Sequence, residues 1–135
     1  MMKQCLLDTN ILSYFLRGDE GILEKFRAYR QHYSYLSFSI FTYYEIKSGL
    51  TYRDAHKKMQ QFEQLSGVSE IIPFDKAIAN TASNVYSYLR NQGLVVAPID
   101  LFIGATALCY DYTLVTANIK HFQHITDLRY ENWAE

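Results

Sequence analysis

The feature that most constrains this chain is a repeated change of hydrophobic period, in which short apolar runs of strand length alternate with segments whose apolar residues recur three and four positions apart. Residues 3–7 form the first run, which ends at Asp8-Thr9-Asn10, and Ile11, Leu12, Phe15 and Leu16 follow at helical spacing. Gly18 closes that helix, and Asp19 or Glu20 opens a second that extends to Arg30. Residues 34–39 alternate as a strand does; a helix capped by Ser39 or Thr42 then passes through Glu45 to Leu50. Thr51 or Asp54 starts an amphipathic segment with Ala55, Met59, Phe62 and Leu65 on one face, which Gly67 stops. Residues 69–74 hold a short strand that Pro73 confines to an edge or a strand end. Asp75 caps a long helix to Asn91, and Asp100 begins another whose Ile103, Ala107 and Leu108 face inward. Residues 112–116 and 128–133 read as the last strands. Strands that alternate with helices through short loops predict a mainly parallel central sheet with helices on both faces, a three-layer α/β/α domain.

At 135 residues the chain has room for one such domain, 1–135, with no linker, repeat or low-complexity tract. Hydrophobic residues make up 49% and aromatic residues 16%, which excludes disorder. No apolar run approaches the ~20 residues that cross a bilayer, and Asp8 arrives too early for a signal peptide. A cytoplasmic protein with no membrane partner is expected. Cys5 and Cys109 lie far apart, with no CxxC spacing and no neighbouring histidine, so both are expected to be buried thiols rather than zinc ligands. The net charge of -1 argues against binding nucleic acid by bulk charge. Its distribution is uneven: nine Lys and Arg face six Asp and Glu up to residue 60, and four face eight beyond it. A basic face on the first half follows.

In an open α/β sheet, ligands bind beyond the carboxyl ends of the strands. That rule selects Asp8 after the first strand, Glu45 after the second, Asp100 at a helix start, and Thr116 and Asn118 after a later strand. Carboxylates gathered within a few ångströms repel by roughly 1 to 4 kcal/mol per pair, and a cluster of this kind normally holds a divalent cation. Oxygen ligands suit Mg²⁺ or Mn²⁺. Each residue also has a plainer reading: Asp8 and Asp100 as helix caps, Glu45 as a solvated outer-face residue, Thr116 and Asn118 as turn formers. Against the plain reading of Glu45 stands its place among Phe41, Tyr44, Ile46 and Leu50, on a helix expected to be largely buried. Tyr29, Tyr33, Tyr35, Phe38, Phe41, Tyr43 and Tyr44 interleave with Arg27, Arg30, His32 and Lys47, a mixture suited to base stacking or to a partner's apolar helix.

Four blocks occur in a familiar order: Leu6-Leu7-Asp8-Thr9-Asn10-Ile11-Leu12, Tyr44-Glu45-Ile46 with Gly49-Leu50, Pro98-Ile99-Asp100 through Leu108, and Leu114-Val115-Thr116-Ala117-Asn118 with Phe122. Together they resemble the PIN-domain ribonucleases, in particular the VapC-like toxins of bacterial toxin–antitoxin pairs. The resemblance implies a PIN-like fold in which Asp8, Glu45 and Asp100 bind Mg²⁺ or Mn²⁺, directly or through water, with Thr9, Thr116 and Asn118 shaping the polar wall. It implies metal-assisted hydrolysis of RNA, tRNA included, without a covalent enzyme intermediate. It further implies a VapB-like antitoxin whose tail docks on the early helices and whose arginine reaches the carboxylates, and pairing of the chain as a homodimer. Many relatives carry an acid three residues past the asparagine, where this chain has His121, which puts a second metal in doubt. His121 motivates an alternative, a catalytically degenerate PIN domain that binds its antitoxin or RNA without turnover. A transition-metal site at His121 and His124 lacks a nearby acid or cysteine in the sequence. A phosphohydrolase with Asp8 as nucleophile lacks the second Asp expected where Asn10 stands.

Overall fold

A computed structural model describes residues 3–134. The elements run β1 (Cys5–Leu7), α1 (Thr9–Leu16), α2 (Glu20–Arg30), β2 (Ser37–Ser39), α3 (Ile40–Tyr52) and α4 (His56–Gly67). They continue with β3 (Glu70–Ile72), α5 (Lys76–Asn91), α6 (Pro98–Tyr110), β4 (Thr113–Val115), a single 3₁₀ turn at Ile119–His121 and β5 (Tyr130–Glu131). Every described strand pairing is parallel: β1 with β4, β4 with β5, and β2 with β3. β2 packs beside β1, which sets the two ladders edge to edge.

Strand alternation divides the core into two. Cys5 and Leu7 of β1 and Val115 of β4 point to one side, where α1, α2, α3 and α4 bring Ile11, Ile22, Phe26, Ile46, Leu50 and Phe62. Leu6 and Leu114 point to the other, against Ile78, Ala82 and Leu89 of α5 and Ile103 and Ala107 of α6. The result is the three-layer α/β/α arrangement that the alternating periods predict. Central parallel strands are covered on both faces and therefore read as unbroken apolar runs.

Caps place most helices where the sequence puts them. Asp19, Ser39 and Asp75 each accept the N–H three residues on, from Ile22, Thr42 and Ile78, at 3.0, 3.2 and 2.9 Å. Two helix starts differ. Neither Thr51 nor Asp54 caps α4: Asp54 takes a left-handed φ of 54° in the tight connection, and α4 begins after Ala55 with no side-chain cap. Asp100 does not start α6 either, because Pro98, whose ring presets a helical φ, takes the first position and leaves Asp100 in the first turn. β2 is shorter than residues 34–39, although the Leu36 carbonyl still accepts the Glu70 N–H at 2.8 Å.

Two expectations about burial fail. Cys109 is exposed, not buried: the buried run of α6 ends at Ala107, and in the last turn its Sγ lies at the α5 margin 3.1 Å from Thr81 Oγ1. Helix α3 is only partly covered: Thr42, Ile46 and Leu50 are buried, while Tyr44 and Tyr52 are 61% and 92% exposed. Among the described residues no helix is long and apolar enough to cross a membrane.

Candidate active site

Parallel pairing brings the carboxyl ends of β1 and β4 together, and the register Leu7↔Val115 places the next residues, Asp8 and Thr116, side by side. Asp8 is an extended residue at the head of α1, only 5% exposed, and both of its oxygens are engaged. Oδ1 accepts the Thr9 N–H at 2.8 Å, and Oδ2 accepts the Thr116 hydroxyl at 2.8 Å. Thr116 is fully buried and in turn accepts the Asn118 N–H at 2.9 Å, which curls the chain back after β4. The Asn10 side-chain carbonyl accepts the Ala117 N–H at 3.1 Å, locking that curl onto α1. Asp8 is thus both the helix cap of its plainer reading and the centre of a polar cluster.

Glu45 stands in the second turn of α3, half-buried, where its Oε1 accepts the Thr9 hydroxyl at 2.5 Å. The Thr42 hydroxyl lies 3.3 Å from the same Thr9 oxygen, so α1 and α3 meet through a hydroxyl pair that orients the glutamate. Asp100 sits on α6 with its side chain 23% exposed, and His121 Nδ1 stands 3.1 Å from its Oδ2. The 3₁₀ turn carries that histidine back over the acid. Asn118 lies at the exposed rim and shapes the wall through its backbone.

Burial pushes the Asp8 carboxyl up to about 6; the hydrogen bonds from Thr116 and Thr9 oppose the rise, and the charges of Asp100 and Glu45 add to it. Three carboxylates from three helices therefore act on one another, as their places in the sequence suggest. They do not close on a single point: among the described residues, no three His, Cys, Asp or Glu side chains stand close enough to clasp one ion directly. The donor set still fits a hard divalent cation, being all oxygen and anionic around a buried acid. Mg²⁺ in particular keeps several of its waters, so carboxylates set apart can hold it through that shell.

Asn10 and Thr42 belong to this cluster although the strand-end rule does not select them, and His121, which stands where many relatives carry an acid, contacts Asp100. The signal for Asn10 was its place directly after the Asp-Thr pair at a strand end. For Thr42 the sequence carried only a capping signal. His124 lines a cavity of about 260 Å³ with Asp100, Lys120 and His121.

A parallel three-layer fold with an acidic cleft at the strand ends, threaded by Asp8, Glu45, Asp100 and Thr116, is that of a PIN domain. Residues 5–128 match the PIN domain family, and the chain belongs to it. It is similar to Ribonuclease VapC1 of Haemophilus influenzae (strain R2866), 28% identical over 131 residues that cover 96% of this chain and 98% of the relative. Among solved structures, VapBC-1 from nontypeable Haemophilus influenzae aligns with a TM-score of 0.82 at 27% identity, over 97% of this chain and 98% of that one. VapBC2 from Rickettsia felis, bound to a DNA fragment from the promoter, shares the fold with a TM-score of 0.88 at 24% identity, over 96% and 98% of the two chains.

Proposed function

We propose that this chain is a Mg²⁺- or Mn²⁺-dependent endoribonuclease toxin that a cognate VapB-like antitoxin neutralises. The observation that carries the reading is the Asp8 carboxyl at the strand end, clamped by Thr9 and Thr116 and raised to about 6 by its burial, with smaller contributions from the charges of Asp100 and Glu45. The ribonuclease name of the Haemophilus influenzae relative and the VapBC complex of the solved neighbour support it. A bound divalent cation would supply Lewis-acid chemistry, lowering the pKa of a water and offsetting charge on the scissile phosphate.

The chain's own groups do the rest. Asp8, Glu45 and Asp100 would hold the cation, and each keeps acceptor capacity beyond the hydrogen bonds described. Thr9 fixes the Glu45 carboxylate, and Thr116 fixes that of Asp8, so neither must reorganise when the phosphate arrives. His121 orients Asp100 from the other side. No side chain is needed as a nucleophile.

Purified protein freed of its antitoxin should cut a structured RNA such as a tRNA into discrete fragments with Mg²⁺ or Mn²⁺ and not with a chelator. Asp8→Asn should lose at least about a hundredfold in rate while keeping the fold. Equal cutting by wild type and Asp8→Asn would sink the mechanism. RNA that is bound and never cut would favour the degenerate binding module, which His121, standing in place of the usual acid, motivates.

A further inference from the structure

Beside the carboxylates, α1, α3 and α4 enclose a cavity of about 390 Å³ that no step above uses. Thr9 and Glu45 form one part of its wall, Leu16, Ile46 and Leu50 give it apolar surface, and Arg17, Arg53 and Lys58 bring three cations into it. Resting on the ribonuclease reading, we infer that this cationic shelf holds the RNA backbone next to the scissile phosphate, and so positions the strand across the acidic cleft.

Three observations point that way. First, three cations converge on one cavity, and among the described residues none of the three forms an ion pair that would hold it away from a ligand. In a chain of net charge -1, three unpaired cations in one cavity are a local concentration, not a reflection of bulk charge. Second, the shelf is built. Arg17 lies over the Tyr14 ring, 4.6 Å from its centre. The Arg53 guanidinium lies across Gly49, where a Cβ would meet Nη1 at 3.4 Å. Glycine inside a helix costs roughly 1 kcal/mol relative to alanine, and the space it leaves on α3 is the bed of that guanidinium. Third, the shelf shares Thr9 and Glu45 with the cleft. A ligand that crosses from one to the other must suit cations at one end and, once a cation is bound, carboxylates at the other. A phosphodiester chain does so, since one phosphate takes the arginines while its neighbour along the strand meets the bound cation. An acidic peptide would satisfy the cations alone.

Binding of a fluorescent single-stranded oligoribonucleotide, titrated across a range of salt in chelator, separates the shelf from catalysis because nothing is cut. Arg17→Ala/Arg53→Ala/Lys58→Ala should weaken binding by about tenfold or more, and should flatten the slope of log K against log salt by about 2, at ~0.7 per lost phosphate contact. Lys3→Ala/Lys76→Ala/Arg90→Ala removes the same charge from exposed positions outside the cavity and should leave slope and affinity within about twofold. Gly49→Val should reproduce part of the loss, by displacing Arg53 with its charge intact. Equal losses in the two triple variants would overturn the shelf, as would unchanged binding in the first. Loss of polyglutamate binding with RNA binding retained would assign the shelf to an acidic peptide instead and also overturn the inference. The ribonuclease reading is judged separately, by Mg²⁺-dependent cutting in the wild type. Cutting with an indifferent shelf leaves that reading and removes this one; a shelf that binds RNA in a protein that never cuts does the reverse.

Discussion

Asp8 shows how one residue serves structure and chemistry with opposite demands. The folded chain keeps its proton up to about pH 6, against an ordinary value of 3.8, so folding takes up a proton between those limits. The stability this contributes is complete below pH 3.8 and is lost as pH rises through about 6, above which the ionised acid costs about 3 kcal/mol. Asp8→Asn removes that cost and also removes one acceptor for Thr9 or Thr116, worth about 1 kcal/mol. In chelator the substitution should therefore raise the melting temperature by several degrees at pH 7.5 and lower it slightly at pH 4. A difference that does not change sign with pH would refute the account of Asp8. Cys5, whose thiol burial pushes up to about 12, shows the same desolvation without the function.

At the scale of elements, α6 carries Asp100 and is held in place by close approach. A Cβ on Gly104 would stand 2.8 Å from Ile125 Cδ1, with Phe122 and Leu128 beyond it, so α6 lies directly on the segment that follows the 3₁₀ turn. That contact brings His121 over Asp100. Gly104→Val should cost about 1–3 kcal/mol in urea unfolding, and Ile125→Val should recover part of it; additive losses would show that the two do not meet. The sequence carried this level well where local signals are strong. The caps Asp19, Ser39 and Asp75 and the period of α5 were legible because each depends on residues within one turn. Asp100 reads as a helix start although Pro98 holds that position, and Cys109 reads as buried although the cover over α6 ends at Ala107, a limit set by what the helix packs against rather than by its own period. Asp8, Glu45, Asp100 and Thr116 were legible as strand-end and helix-borne polar residues. The Asn10, Thr42 and His121 contacts were not, since each joins segments distant in sequence.

For the whole molecule, the cleft sets Asp8, Glu45 and Asp100 where one cation can serve all three, so a bound cation should stabilise the fold by mass action. Mg²⁺ or Mn²⁺ at about a hundred times its dissociation constant should add about 2.7 kcal/mol, read as a rise in melting temperature. Asp100→Asn should abolish most of the rise, and His121→Asp, by adding a carboxylate against Asp100, should enlarge it for Mn²⁺. A melting temperature indifferent to millimolar metal in the wild type would count against the cation site. Chain order adds a consequence of the β1–β4 register. The hydroxyl partner of Asp8, Thr116, lies 108 positions further along the chain, and Ala117, the partner of Asn10, lies 107. Until β4 has been made, a nascent chain therefore displays Asp8 without the hydroxyl that clamps it, and the cleft closes only after Thr116 and Ala117 have followed.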